Sequence, residues 1–136
     1  MIYIIINIMN KTNLYRLEAL LALGAAYPGA RRTTEIARRR AVPEPFLARL
    51  LAELARNGLV VTSRGPAGGA RLARPPAEIS LLEVLPRPDR TTSGGAGAQW
   101  LASRLAEAER QALAGLDLAA LLAAEQAASA TVDFEI

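Results

Sequence analysis

The sequence predicts a mainly α fold with a small β-hairpin, on three observations. First, the chain is 51% hydrophobic and only 4% aromatic, and its 28 Ala and 21 Leu suit helices and disfavour a large sandwich or barrel. Second, apolar residues recur at helical spacing along most of its length. Third, one β-branched run, Leu59-Val60-Val61-Thr62-Ser63, breaks that period just before a Gly/Pro-rich turn. A length of 136 residues is about one domain.

The elements follow in order. Residues 11–26 form a helix, with Leu14, Leu17, Leu21 and Ala25 in one apolar stripe. Tyr27-Pro28-Gly29 stops it. Thr33 or Thr34 caps a short helix over 35–40 that turns Ile36 and Ala37 inward. Ala41-Val42-Pro43 is a turn, and Pro43 and Pro45 sit at or just inside the next helix start, where a missing N–H costs nothing. That third helix runs to about residue 56 and buries Leu47, Leu50, Leu51 and Leu54. Asn57-Gly58 closes it. Residues 59–63 and 70–73 pair as a hairpin across the turn 64–69. A short helix over 79–85 is capped near Ser80. Residues 86–98 hold two Pro and three Gly and read as a loop. A longer helix spans 99–114, with Leu101, Leu105, Ala108 and Ala112 on one face. Asp117 caps a last helix to about residue 128, and the tail from Ser129 frays. Two short helices joined by a tight turn and followed by a hairpin make a winged helix-turn-helix.

Charge and composition narrow the function. Residues 1–75 carry 12 Lys+Arg and 4 acids, a balance of +8, whereas residues 76–136 carry 4 Arg and 9 acids, a balance of −5. A basic half suits nucleic acid or an anionic membrane; it is also what a solvated Arg-rich surface looks like. The chain has no Cys and no His. Disulfides, thiolate or imidazole metal sites, Cys nucleophiles and triads with a His base are therefore excluded. No paired-carboxylate spacing or nucleotide loop supports an enzyme, and no cofactor or metal is expected. The apolar start, Met1-Ile-Tyr-Ile-Ile-Ile-Asn-Ile-Met9, is too short to span a membrane and lacks a signal peptide's basic flank and cleavage site. It reads as a leader before a true start at Met9, or as a strand against another chain. A cytoplasmic protein is expected.

Three groups of residues could carry a binding function. The third helix shows a polar face of Glu44, Pro45, Ala48, Arg49, Glu53 and Arg56. Its first turns could enter a major groove, with Arg49 bidentate to guanine; alternatively Arg49 and Glu53 form an ordinary i, i+4 surface pair. The turn Arg64-Gly65-Pro66-Ala67-Gly68-Gly69 puts an Arg at a hairpin shoulder beside small residues. It could admit a phosphate backbone and send Arg64 into a minor groove, with Arg71 and Arg74 adding charge, or it is a plain turn. Arg38-Arg39-Arg40 could meet phosphates or be a solvated helix end. Trp100, the one Trp, could anchor a subunit interface or belong to the core.

These residues resemble the Rrf-two family of small bacterial winged-helix regulators, over roughly residues 14–122. The opening helix is carried by Leu14-Tyr15-Arg16-Leu17-Glu18-Ala19-Leu20-Leu21, and the helix-turn-helix by Glu35-Ile36-Ala37 through Val42-Pro43-Glu44-Pro45-Phe46-Leu47. The most specific match is Asn57-Gly58-Leu59-Val60 through the turn to Arg74-Pro75, although Ala70 stands where the family usually has an aromatic. Ile79 to Leu85, Trp100 and the stretch 113–122 follow the same pattern. The resemblance implies a homodimer on a partly palindromic double-stranded operator, with the third helix in the major groove and Arg64 in the minor groove. DNA contact is then expected from Thr33, Thr34, Glu44, Pro45, Ala48, Arg49, Arg64, Gly65, Pro66, Gly68, Gly69 and Arg71, and dimer contact from Trp100, Leu101, Leu105, Ala108 and Ala112. Ala48 stands where some cluster-binding members carry Glu, so base preference should differ. Many members hold an iron–sulfur cluster on three Cys between the wing and the long helix; here that segment, 86–98, has none. The resemblance thus implies a cluster-free member, some of which sense through a small molecule or an enzyme partner.

The domain plan expected is a leader, 1–10; a winged helix-turn-helix domain, 11–85; a loop, 86–98; dimerisation helices, 99–128; and a tail, 129–136. The functional expectation is a sequence-specific regulator, a repressor in preference to an activator, since repression needs only operator occupancy. The alternative is a protein-interaction module on a winged scaffold that no longer reads DNA.

Overall fold

The computed structural model describes residues 10–64, 68–85 and 94–134, with side chains described to residue 130. Residues 1–9 of the leader, 65–67 of the turn between the hairpin strands and 86–93 of the loop lie outside the described residues.

Helix α1 (Lys11–Ala26) is capped by Asn10, whose Oδ1 accepts from the Asn13 N–H at 2.9 Å. Its buried face is Leu17, Ala19, Leu20, Leu21 and Leu23, wider than the predicted stripe, while Leu14 is 41% exposed and Ala25 is also exposed. The reason is packing on several sides. Helices α2 (Thr33–Arg40), α3 (Glu44–Arg56) and α6 (Leu118–Phe134) and strand β3 (Gly69–Leu72) all pack against α1. A helix covered this way needs apolar residues around most of its girth.

Among the described residues the sheet has three strands, not the two of a bare hairpin. Strand β1 (Arg31–Arg32) pairs antiparallel with β3, which pairs with β2 (Val60–Ser63), in the order β1-β3-β2. A two-residue, fully exposed, charged strand carries no periodicity to read; its pairing partner creates it. The same pairing corrects the capping expectation. Thr33 and Thr34 are the first residues of α2, and Arg32 is its N-cap with no side-chain hydrogen bond. The Thr33 N–H instead donates to the Gly68 carbonyl at 3.3 Å, so the wing base satisfies a donor that a cap would otherwise take.

Helix α3 matches its predicted span, with Leu47, Leu50, Leu51 and Leu54 buried. Gly58 follows at φ 76°, a left-handed value that suits Gly. Beyond the wing, Ser80 and Glu83 form a reciprocal capping box on α4 (Leu81–Val84). The core is almost all aliphatic; Leu20, Leu23, Ile36, Leu47, Leu54, Leu59, Leu72, Ile79 and Leu118 are fully buried.

Helix α5 (Ala96–Leu113) begins three residues earlier than predicted, and α6 continues to Phe134 where fraying was expected from Ser129. Asp117 Oδ1 accepts from the Ala120 N–H at 2.8 Å, as predicted for that cap. The α5–α6 junction is fastened to the segment after the wing by Leu81 N–H to Leu116 O at 3.0 Å and Leu118 N–H to Ile79 O at 2.9 Å. Helix α6 then lies on α1 so closely that a Cβ on Gly24 would meet Leu122 Cδ1 at 2.7 Å. Among the described residues, no helix is long and apolar enough to cross a membrane.

Candidate nucleic-acid interface

The Leu stripe of α3 faces the core, so helical geometry turns Glu44, Pro45, Ala48 and Arg49 to solvent. Arg49 could have been tied to Glu53, but Glu53 is engaged elsewhere. Both its carboxylate oxygens accept from Arg16 Nη2, at 2.8 and 3.0 Å, and Arg16 Nη1 donates to Asn13 Oδ1 at 2.6 Å. The Arg49 guanidinium lies over the Phe46 ring at 5.8 Å, and Phe46 packs edge-on against Tyr15 at 5.6 Å. Arg49 therefore stands pre-oriented by an aromatic face and without an acidic partner among the described residues.

The wing adds more charge than its turn predicted. Pleat alternation and the observed register put Arg32, Val61, Ser63 and Arg71 on one outward sheet face. All four are exposed, as is Arg64 at the end of β2. Arg31 and Arg32 were not predicted to take part; the signal available was their position just before the second helix. Gly65 and Pro66 lie outside the described residues, so their expected DNA contact is left to proposal. Gly68 is half-buried, its carbonyl held by Thr33. Gly69 corrects the phosphate-approach reading at that position. It is buried, and a Cβ there would fall 2.2 Å from the Arg31 carbonyl oxygen. What needs the missing side chain is strand β1.

Three other cations are paired within the chain, two of them at the surface. Arg74 donates to the Glu78 carbonyl at 2.9 Å and to Glu83 Oε1 at 3.0 Å. Arg39 pairs with Glu35 at 3.4 Å. Arg40 bridges Glu18 of α1 at 3.1 Å and Glu125 of α6 at 2.9 Å. It is a tie between three helices and not the phosphate contact considered for it; of that triplet, Arg38 alone is exposed without an ion pair among the described residues.

The hydrogen bond from Arg40 holds the Glu125 carboxyl below its usual range, against a smaller opposing effect of burial. A carboxylate with a depressed folded-state pKa adds stability that is complete above its unfolded pKa and is lost as pH falls through the folded one. Arg40→Met should cost about 1–2 kcal/mol near neutral pH, between the values for exposed and buried pairs. It should also flatten the loss of stability as pH falls below the ordinary carboxylate range, since the depressed Glu125 pKa depends on Arg40. Urea unfolding of both proteins across that pH range checks both points.

Helix α5 packs chiefly on the short α4 and leaves Trp100 63% and Leu101 52% exposed. Leu105 is half-buried, and Ala108 and Ala112 are exposed. The core reading of Trp100 is thereby overturned within one chain; its ring carries the Arg104 guanidinium at 5.2 Å.

A family model, Rrf2, described as an iron-dependent transcriptional regulator, matches residues 9–124. The chain belongs to the Rrf2 family. This Rrf2 member is 34% identical over 90 residues to the HTH-type transcriptional regulator IscR of Cereibacter sphaeroides, covering 62% of this chain and 58% of that protein. It is 42% identical over 77 residues to Protein aau3 of Rhizobium meliloti, covering 57% of this chain and 50% of that one. The chain spans about half the length of the curated relatives it matches. Among solved structures, T. potens IscR superposes with a TM-score of 0.72 at 26% identity over 88% of each chain. Staphylococcus aureus CymR superposes with a TM-score of 0.68 at 26% identity, covering 83% of this chain and 96% of that one. These neighbours share the winged-helix architecture described above.

The iron in the family description has no fitting ligands here. An iron–sulfur cluster is held by thiolates, with imidazole as the known replacement, and this Rrf2 member has no Cys and no His. Among the described residues, no three acidic side chains gather where they could hold a metal instead.

Proposed function

We propose that this chain is a cytoplasmic, homodimeric transcriptional regulator that binds a partly palindromic operator without an iron–sulfur cluster, as a repressor and not as an enzyme. The observation that carries the reading is the exposed start of α3 with Arg49 free of Glu53, packed beside a wing that presents Arg32 and Arg71 on its outward face and an exposed Arg64 at the end of β2. Membership of a family of transcriptional regulators supports it. In this reading α3 enters the major groove, Arg49 reads a guanine, Arg64 enters the minor groove, and Gly65 and Pro66 contact the DNA beside it. Thr33, Thr34, Arg31 and Arg32 meet the backbone, where contacts fix register and not sequence. Repression requires only that the bound dimer exclude polymerase.

The test is fluorescence anisotropy with DNA from upstream of its own gene, at two salt concentrations, with random DNA as competitor. Arg64→Ala should cost about 1–3 kcal/mol of binding, and wild-type affinity should fall steeply with salt. Weak binding without sequence preference, equal in both proteins, would sink the reading and favour a protein-interaction module.

A further inference from the structure

We infer that Arg16 is a positioning residue for DNA reading: by capturing Glu53 it keeps Arg49 available to a base. The inference rests on the regulator reading above and concerns a residue that does not itself reach DNA.

On an isolated α3, Arg49 and Glu53 are i, i+4 neighbours, the spacing at which opposite charges pair. Glu53 would then neutralise the one Arg on the exposed first turns of the helix and set a carboxylate toward the phosphates. Arg16 prevents this from α1, 37 residues away in sequence. Its Nη2 spans both oxygens of Glu53 at 2.8 and 3.0 Å, and its Nη1 is held by Asn13 Oδ1 at 2.6 Å. The Arg16 side chain is only 11% exposed, so its geometry is fixed by packing and it is a poor DNA contact of its own. Arg49 is left with Phe46, which Tyr15 braces from the side at an interplanar angle of 70°. All but Asn13 and Tyr15 line one open cleft of about 420 Å³ between α1 and α3, with Arg56 at its far end. Tyr15 and Arg16 are consecutive on α1: the ring braces the platform under Arg49, and the guanidinium removes its competitor.

Removing Arg16 leaves Glu53 partly buried with two cations of its own helix one turn away, Arg49 before it and Arg56 after it. Arg49 should take the carboxylate and leave its place above Phe46, which the Arg49→Ala background and the Glu53→Gln rescue distinguish from capture by Arg56.

The experiment uses the full chain and a DNA duplex selected by the wild-type protein from a random-sequence pool. Affinities for that duplex and for an unselected one are compared for Arg16→Gln, Arg49→Ala, Glu53→Gln and the double variants, with thermal unfolding of each. Arg16→Gln should weaken the selected duplex about five- to fiftyfold, as loss of one bidentate base contact does, and the unselected duplex much less. It should add nothing in the Arg49→Ala background, since coupled sites are non-additive. Glu53→Gln should restore binding to Arg16→Gln and by itself change affinity less than about threefold. Additive losses for Arg16→Gln and Arg49→Ala, or no rescue by Glu53→Gln, would overturn the inference and leave Arg16 a structural residue. If Arg16→Gln does not fold, Arg16→Lys replaces it. A lysine holds Glu53 by a point charge without the fork, so a partial loss rescued by Glu53→Gln is expected, and no loss overturns the inference. A wild-type protein that selects no duplex overturns the regulator reading itself, a result distinct from every variant outcome.

Discussion

Replacing Trp100 and Leu101 together with Glu should turn the proposed dimer into monomers and cut affinity for a two-half-site operator about a hundredfold or more. Both side chains are more than half exposed on one chain, although aromatic and aliphatic side chains at such density usually mark a contact surface. Leu105, Ala108 and Ala112 continue the stripe along α5 at helical spacing. Neither substituted residue belongs to the buried core, so helix content and unfolding of the monomer should change little. The affinity loss arises because the second half-site is no longer bound from the same molecule. Light scattering shows the change of mass, and anisotropy on whole and half operators shows its effect. A variant that stays dimeric would place the interface elsewhere.

Gly69→Ala should destabilise the fold by about 2–3 kcal/mol, the cost of forcing atoms into a filled site. The added Cβ would meet the Arg31 carbonyl oxygen at 2.2 Å and the Arg31 carbonyl carbon at 2.9 Å. These are backbone atoms of β1, so relief requires the strand to leave. Arg31 and Arg32 would leave with it, and the Thr33 tie to Gly68 would loosen the start of α2. DNA affinity should therefore fall together with stability. Gly97→Ala is the control. Its Cβ position is open and it lies within α5, so it should be neutral or stabilising by up to about 1 kcal/mol. Urea unfolding measures both. An unchanged midpoint for Gly69→Ala would mean that β1 is not fastened as described.

Arg16, Glu53 and Arg49 show where sequence reading stops. The i, i+4 spacing of Arg49 and Glu53 was legible, and it pointed to a surface pair. A residue on another helix takes the carboxylate, and no local rule connects positions 16 and 53. Arg38, Arg39 and Arg40 make the same point. They are consecutive and chemically identical, yet one has no ion pair among the described residues, one pairs within its helix, and one joins α1 to α6.

The sequence by itself determined the helices and their caps wherever the cause was local. The Leu spacing of α3, the Asn57-Gly58 stop, the β-branched run of β2, the Ser80–Glu83 box and the Asp117 cap all act within a few residues. It also determined that no thiolate or imidazole is available for iron, since that is a matter of composition. Tertiary structure alone decided the existence of β1, the use of the wing base in place of a Thr cap, the true face of α1, and which Arg side chains have no ion pair among the described residues. Each of these depends on a partner distant in the chain. A backbone donor, a carboxylate or an apolar face is satisfied by whatever folding brings within about 3–4 Å, and that is set by packing, not by periodicity.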